Sequence, residues 1–149
     1  MQHFSDRHGG VSVDQFASLN VAFHVGDDPE KVEKNRSKIA ATHGPLQYMN
    51  QVHGNRVAII EGITDETPTA DALVTGIPGI GLAVMVADCI PLLLRSPESV
   101  AAVHVGRRGL VNGVALHTLS AMKEMGATEI SAEIGPAICG ECYEVSEEI

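Results

Sequence analysis

Between residues 46 and 105 the sequence carries six short segments dense in valine, isoleucine and leucine, separated by glycine and proline. The segments are residues 46–52, 56–60, 71–75, 80–86, 90–94 and 100–105. Short apolar runs bounded by turn residues are typical of β-strands, and their density indicates sheets with little surface left in contact with water. An alternating segment at 129–135 predicts one more strand.

Two stretches carry helical signals. Residues 28–44 begin with Asp28 as an N-cap and Pro29 in the first turn, and Gly44 follows the predicted end. Residues 110–126 have apolar residues spaced for one helix face, with Gly126 as the stop. The residues of this predicted inner face are Val111, Val114, Ala115, Met122 and Met125. Together, the strands and helices predict an α+β fold rather than a regular α/β array.

Length and charge limit the function classes. The 149 residues suit a single domain spanning 1–149. A formal net charge of −9 argues against general binding to nucleic acid or to a membrane surface, because both require a basic face. Without a membrane-length apolar run or a signal-peptide pattern, the chain is expected in the cytoplasm. Three cysteines make a disulfide scaffold improbable and favour a metal-binding or catalytic role.

Asp88 and Cys89 interrupt an apolar stretch, V-M-V-A-D-C-I-P-L-L, where the pattern calls for valine and leucine. Polar residues at strand ends are a usual place for a site on a rigid scaffold, and His53 and His104 lie in similar Gly-containing segments. Two imidazoles and one thiolate would bind zinc with a fourth position open for water or substrate. The spacing leaves open that the histidines are structural and that Cys89 is a small buried apolar residue.

Two further groups of residues are chemically suggestive. Cys139 and Cys142 form a C-x-x-C, but without a second such pair or a thioredoxin-like context the sequence favours an incidental pair beside a turn. Arg107 and Arg108 lie at a predicted helix start and could hold an anion there. Arg36, on the first helix, is either a solvated charge or a second anion ligand.

Several motifs occur in a fixed order along the chain: N-x-x-x-H-V-G-D-D-P-x-x-V-x-x-N-R, Q-V-H-G, A-D-A-L-V-T, V-A-D-C-I-P, V-H-V-G-R-R-G and I-G-P-A-I-x-x-x-C-Y-E-V. Each motif alone is weak, but six in order are specific. This set resembles the laccase-domain family of purine nucleoside phosphorylases, formerly described as multicopper polyphenol oxidases. The resemblance runs from about Ser5 to the end of the sequence.

The resemblance implies a layered sandwich of mixed β-sheets flanked by helices, similar to the catalytic domain of cytotoxic necrotizing toxins. It also implies that His53, Cys89 and His104 bind zinc, with Cu²⁺ as the alternative metal. The implied reaction is phosphorolysis of adenosine, inosine, guanosine and methylthioadenosine to the base and ribose 1-phosphate, accompanied by adenosine deamination. The expected partners are therefore a purine nucleoside and phosphate, and the protein is expected to be a monomer or homodimer.

Roles for individual residues follow from this reaction. Asp88 or Glu144 would transfer the proton in deamination, and Asp88 would also orient a ligand histidine or a water. Arg108 and Arg36 would hold phosphate, and Asn20 would contribute to the substrate or phosphate site. Cys89 would act in catalysis as the metal thiolate.

The sequence departs from the family in two places. Arg107 stands where the family usually has tryptophan, and the family continues beyond Y-E-V, so the chain is expected to lack the family's C-terminal part. Besides a non-catalytic interaction module, two other enzymatic functions stay open at this point. One is a copper-dependent polyphenol oxidase. The other is a metal-free hydrolase with Cys89 as nucleophile and His104 or His53 as base.

Overall fold

The computed structural model describes residues 2–147, which form a mixed α+β fold with two sheets and three α-helices. The strands are β1 (Leu46–Gln47), β2 (Val57–Ile59), β3 (Ala72–Thr75), β4 (Gly81–Leu82), β5 (Ile90–Arg95), β6 (Val100–Val105) and β7 (Ser131–Ile134). The helices are α1 (Pro29–His43), α2 (Arg107–Val111) and α3 (Val114–Glu124). The predicted fold class is confirmed. No helix among the described residues is long and apolar enough to cross a membrane.

The main sheet has five strands in the order β2-β3-β6-β5-β7. β2 runs parallel to β3, and all other neighbours are antiparallel. β1 and β4 form a separate parallel pair. The main sheet is therefore mixed, as the family resemblance implied, whereas the small sheet is purely parallel.

Apolar side chains cover both faces of β3, an interior strand of the main sheet. Ala72 and Val74 pack into the cluster that also contains Val114 and Met122 of α3. Leu73, which points to the opposite face, packs with Met49 and other residues next to the small sheet. All four residues of β3 are buried, which explains why this strand reads as a continuous apolar run.

The first helix follows its sequence signals closely. The Asp28 side chain accepts a hydrogen bond from the Glu30 amide (2.9 Å), Pro29 is the first helical residue, and Gly44 is the C-cap. Val32 and Asn35 are the fully buried residues of this helix. The Asn35 side chain bonds the Val11 amide and the carbonyls of Ser18 and Asn20, so α1 holds the N-terminal segment in place.

The second predicted helix is broken into α2 and α3. Gly113 lies at the break with a φ of 74°, a left-handed conformation that glycine adopts readily. Because of this break Val111 does not share the inner face of α3 and is 82% exposed, whereas Val114 and Met122 are buried as predicted. Two predicted strands are also much shorter than expected. Within residues 46–52 and 80–86 the strands cover only 46–47 and 81–82, and Asn50 forms an isolated bridge to Thr69.

Candidate metal centre

Strand directions bring three distant segments to one end of the main sheet. β2 and β3 are parallel, so the loop before β2, which carries His53, lies beside Asp71 at the start of β3. β6 is antiparallel to both β3 and β5, so its end lies beside their starts. His104 is therefore adjacent to Asp71 and also close to Cys89, which directly precedes β5. The topology explains how residues far apart in sequence meet.

His53, Cys89 and His104 form one compact cluster. One potential ligand atom from each residue lies within 4.8 Å of the others. The Cys89 Sγ is 3.8 Å from His53 Nε2, and the two imidazole rings meet edge to face with centroids 4.7 Å apart. A tetrahedral zinc, with bonds of about 2.0–2.3 Å, requires donors about 3.3–3.8 Å apart. The predicted ligands are thus together, and a small contraction would complete a zinc or copper geometry.

The buried carboxylate of Asp71 holds both histidines. One oxygen accepts hydrogen bonds from His104 Nδ1 (2.8 Å) and the His53 amide (2.9 Å), and the other accepts from the Gly54 amide (2.7 Å). His53 has a φ of 59°, a left-handed conformation that costs a non-glycine residue about 1–2 kcal/mol. The amide hydrogen bonds to Asp71 stabilise this turn, and the turn carries the His53 ring toward the cluster.

Asp71 also determines which nitrogen of His104 is free. With Nδ1–H donating to the carboxylate, Nε2 is left to bind a metal, the arrangement usual for ligand histidines. Burial by itself raises the pKa of Asp71, but the hydrogen bonds from His104 and the loop amides outweigh it. The pKa of Asp71 consequently lies below the ordinary aspartate value, and the group is a carboxylate at neutral pH.

Gly106, directly after β6, approaches all three candidate ligands. A Cβ atom at this position would lie 2.7 Å from His53 Cδ2, 3.3 Å from Cys89 Sγ and 3.6 Å from His104 Cε1. The first distance is shorter than real Cβ contacts, so any larger residue would displace the His53 ring. The glycine of V-H-V-G is therefore required by the close approach of the backbone to the cluster.

The loop that leads to Cys89 is held by a pair of hydrogen bonds from Gln51. Its side chain donates to the Met85 carbonyl (2.7 Å) and accepts from the Met85 amide (2.8 Å). Burial, followed by the negative charges of Asp88 and Asp71, raises the pKa of the Cys89 thiol. Cys89 would therefore be a poor nucleophile without a bound cation, because the thiolate is the reactive form.

The cluster opens into a cleft of about 1570 Å³. Its walls include His53, Cys89 and His104 together with Asp88 and Asn20. This volume exceeds the range of about 300–1000 Å³ typical of small-molecule sites. The cleft extends well beyond the three candidate ligands, and Arg36, Arg108 and Glu144 do not line it.

Asp88 lies in a bend between β4 and β5, and the residue is exposed. Within residues 2–147 its side chain makes no hydrogen bond to a histidine, and the partner of His104 is Asp71. The stretch V-M-V-A-D-C-I-P-L-L is therefore not one continuous apolar strand. The strand expected over 80–86 stops at Leu82, and the bend that carries Asp88 lies at the surface. Arg108 is exposed on α2, and Glu144 is exposed in the C-terminal segment.

Arg36 is half-buried between two aromatic rings. Its guanidinium carbon is 3.8 Å from the Tyr48 ring centroid and 4.4 Å from that of Phe23, and Nε donates to the Val21 carbonyl (2.8 Å). Among the described residues it has no ion-pair partner. Asn20 lines the cleft, and its amide donates to Asp27 (2.9 Å), which supports the loop before α1.

Three residues of the site were not predicted from the sequence: Asp71, Gly106 and Gln51. Asp71 precedes a strand, where a carboxylate usually marks a turn. All three lie within the ordered motifs A-D-A-L-V-T, V-H-V-G-R-R-G and Q-V-H-G. The motifs could therefore have identified these three residues, because the polar and glycine residues of the motifs pack around the same cluster.

Comparison with known proteins places the chain in a family. The family model described as "Multi-copper polyphenol oxidoreductase laccase" matches residues 1–149. The chain belongs to this laccase family. The family resemblance inferred from the ordered motifs is thereby confirmed.

Curated relatives of this laccase-family chain are named purine nucleoside phosphorylases. One from Streptomyces griseus is 47% identical over 158 residues, covering 98% of this chain and 64% of the relative. Another, from Streptomyces coelicolor, is 46% identical with the same coverage. The chain therefore spans somewhat less than two thirds of the length of these relatives.

Solved structures of laccase-family relatives share the fold. A Neisseria meningitidis protein, NMB0706, superposes with a TM-score of 0.84 at 40% identity, covering 95% of this chain and 60% of the other. YlmD from Geobacillus stearothermophilus gives a TM-score of 0.85 at 35% identity, covering 95% and 59%.

Proposed function

We propose that this chain carries the metal centre of a zinc-dependent purine nucleoside phosphorylase that also deaminates adenosine. The cluster of His53, Cys89 and His104 in an open cleft is the observation that carries the proposal. The relatives named purine nucleoside phosphorylases support the choice of reaction. The substrates would be adenosine, inosine, guanosine and methylthioadenosine, each cleaved with phosphate.

The donor set fits zinc. Two imidazoles and one thiolate are ligands that zinc accepts, and three protein ligands are typical of catalytic zinc. Asp71 fixes the free nitrogen of His104, and Gly106 leaves room for the three side chains to converge. When bound, zinc would act as a Lewis acid toward an oxygen of water or substrate. Copper suits the same donors, so the identity of the metal is part of the proposal.

Phosphate binding is assigned to Arg36 and Arg108. The guanidinium of Arg36 is half-buried and has no carboxylate partner in residues 2–147, although the protein is strongly acidic. A partly desolvated cation without a counter-ion favours an anionic ligand. Phosphate held by the two arginines would attack C1′ of the ribose as the bond to the purine breaks, giving the free base and ribose 1-phosphate.

Proton transfer during deamination is assigned to Asp88 or Glu144. Asp88 lines the cleft next to Cys89. Its carboxylate would take a proton from the attacking water and return it as the amino group leaves C6 of adenosine. Asn20 is also on the cleft wall. Its amide group donates to Asp27 and to the Ala22 carbonyl, so it would bind the substrate through the remaining acceptor capacity of Oδ1, which accepts from the Ala22 amide.

The test is an assay of the purified, zinc-loaded protein with inosine and phosphate, and separately with adenosine. Phosphate-dependent release of hypoxanthine and formation of inosine from adenosine are the expected results. The Streptomyces griseus relative serves as the positive control, and Cys89→Ser as the matched inactive variant. Absence of both products from a protein with bound zinc, under conditions where the relative reacts, would overturn the proposal for this chain.

The geometry supports the metal centre over a metal-free Cys–His hydrolase. A catalytic triad requires one histidine to contact both the nucleophile and the carboxylate. Here the histidine 3.8 Å from Cys89 is His53, whereas Asp71 bonds the ring of His104. The raised pKa of Cys89 also opposes a free thiolate. Rapid alkylation of Cys89 in protein with no bound metal would favour the hydrolase instead.

A copper-dependent polyphenol oxidase is the alternative suggested by the family description. Multicopper sites need more ligands than three, and His53, Cys89 and His104 are the single group with metal-binding spacing in the described part of the chain. The alternative predicts a visible copper absorption band and phenol oxidation by the copper-loaded protein.

A further inference from the structure

The C-x-x-C pair forms an ordered dithiol at the surface. Cys139 Sγ and Cys142 Sγ are 3.1 Å apart, and both residues are exposed. The Cys142 amide donates to the Cys139 carbonyl (3.0 Å), which closes a turn between the two residues. The backbone therefore keeps both sulfurs on the same side of one tight turn, where solutes can reach them.

Hydrogen bonds to the main sheet anchor the segment before this turn. The Gly135 amide donates to the Pro91 carbonyl (3.0 Å), and the Ile138 amide donates to the Asp88 carbonyl (2.9 Å). The dithiol is consequently fixed next to the bend that carries Cys89. It lies outside the metal-ligand cluster, which does not include either of its sulfurs.

The two thiols differ in acidity. The hydrogen bond between the two thiols, together with the amides of Cys142 and Glu141, lowers the pKa of Cys139. The same thiol–thiol hydrogen bond raises the pKa of Cys142. An exposed thiol with a lowered pKa next to a second thiol is the arrangement that favours attack on a disulfide by the first and resolution by the second.

We propose that Cys139 and Cys142 form a redox-active dithiol site that reacts with low-molecular-weight disulfides. The Cys139 thiolate attacks one sulfur of the disulfide, forms a mixed disulfide and releases one thiolate. The Cys142 thiolate then attacks the Cys139 sulfur and releases the second thiolate. The protein gains an internal disulfide and loses two electrons and two protons, while the small disulfide is reduced to two thiols.

The test uses the metal-loaded protein and oxidised glutathione as the probe, with intact mass and peptide mapping as readouts. Wild-type protein is expected to lose two hydrogens, with the link mapped to Cys139 and Cys142. The Cys142→Ser variant is expected to retain one glutathione on Cys139. In Cys139→Ser, modification of Cys142 should be severalfold slower than that of Cys139 in Cys142→Ser. The amides of Cys142 and Glu141 still lower the pKa of Cys139 in Cys142→Ser, whereas no amide lowers that of Cys142.

Two results would overturn the inference. One is wild-type protein that carries a glutathione on each cysteine without an internal disulfide. The other is equal rates of modification in the two single variants, which would indicate two independent exposed thiols. None of these readouts depends on turnover of a nucleoside, so a failure of the proposed enzymatic function would leave the result interpretable.

Discussion

The three cysteines lie in two contrasting environments. Cys89 is half-buried beside two imidazoles, and burial and nearby carboxylates raise its pKa. Cys139 is exposed in a turn, and hydrogen bonds with the Cys142 thiol and with neighbouring amides lower its pKa. A bound cation would thus favour the thiolate of Cys89, whereas the exposure and lowered pKa of Cys139 favour its reaction with solutes. The surrounding contacts decide whether a thiol is a candidate ligand or a candidate nucleophile.

Glycine substitutions next to each cysteine should give the largest difference between the two environments. In Gly106→Ala the added Cβ would lie 2.7 Å from His53, so the ring must move and zinc affinity should fall about 100-fold. Gly140→Ala, between Cys139 and Cys142, meets nothing within 4 Å and is the matched control. Competition with a chromophoric chelator measures the zinc affinity of both variants. Equal zinc affinities in the two variants would show that the convergence at Gly106 is unimportant.

Asp71→Asn should weaken zinc binding about 10–100-fold, because the amide cannot accept all the hydrogen bonds that fix the His104 ring and the His53 turn. Asp27→Asn, another buried carboxylate in a hydrogen-bond network away from the cluster, is the control. If chelator competition gives the same loss of affinity in both variants, Asp71 has no special role.

The same carboxylate predicts a pH effect on the stability of the metal-free protein. The pKa of Asp71 is lower in the folded state than the reference value of 3.8. The contribution of the Asp71 carboxylate to folding stability is therefore fully present above pH 3.8. It is lost as the pH falls through the pKa of Asp71 in the folded protein. Denaturant unfolding should show Asp71→Asn to be about 3 kcal/mol less stable at neutral pH. If the difference in unfolding free energy between the wild type and Asp71→Asn does not become smaller in acid, the lowered pKa of Asp71 is contradicted.

Alkylation rates should separate the two kinds of thiol in chelator-treated protein. The thiolate is the reacting form, so the iodoacetamide rate at Cys139 should rise at a lower pH than the rate at Cys89. Peptide mapping over a pH series gives both profiles. If the alkylation rates at Cys139 and Cys89 depend on pH in the same way, the two thiols do not differ in acidity.

Gln51→Leu should have the smallest effect. It removes two hydrogen bonds to the Met85 backbone, and each such bond contributes about 1 kcal/mol. Because Met85 lies four residues before Cys89, zinc affinity should fall severalfold, well below the effect at Gly106. Asn50→Leu, which removes an exposed hydrogen bond to Thr69, is the control in the same chelator assay.

The sequence predicted the ligands but not their support. His53, Cys89 and His104 could be named from residue type and motif, whereas their proximity depends on strand directions that local spacing does not encode. Asp71 was missed because only the β3–β6 pairing places it against His104. Similarly, the apolar periodicity around Asn112 concealed the break at Gly113, where backbone conformation overrides the helical pattern.

Metal content tests the central claim most directly. Purified wild-type protein and Cys139→Ser should each contain one equivalent of zinc, and Cys89→Ser and His53→Ala should contain almost none. Elemental analysis together with protein concentration gives this ratio. Full zinc content in Cys89→Ser, or its loss in Cys139→Ser, would contradict a metal centre built from His53, Cys89 and His104.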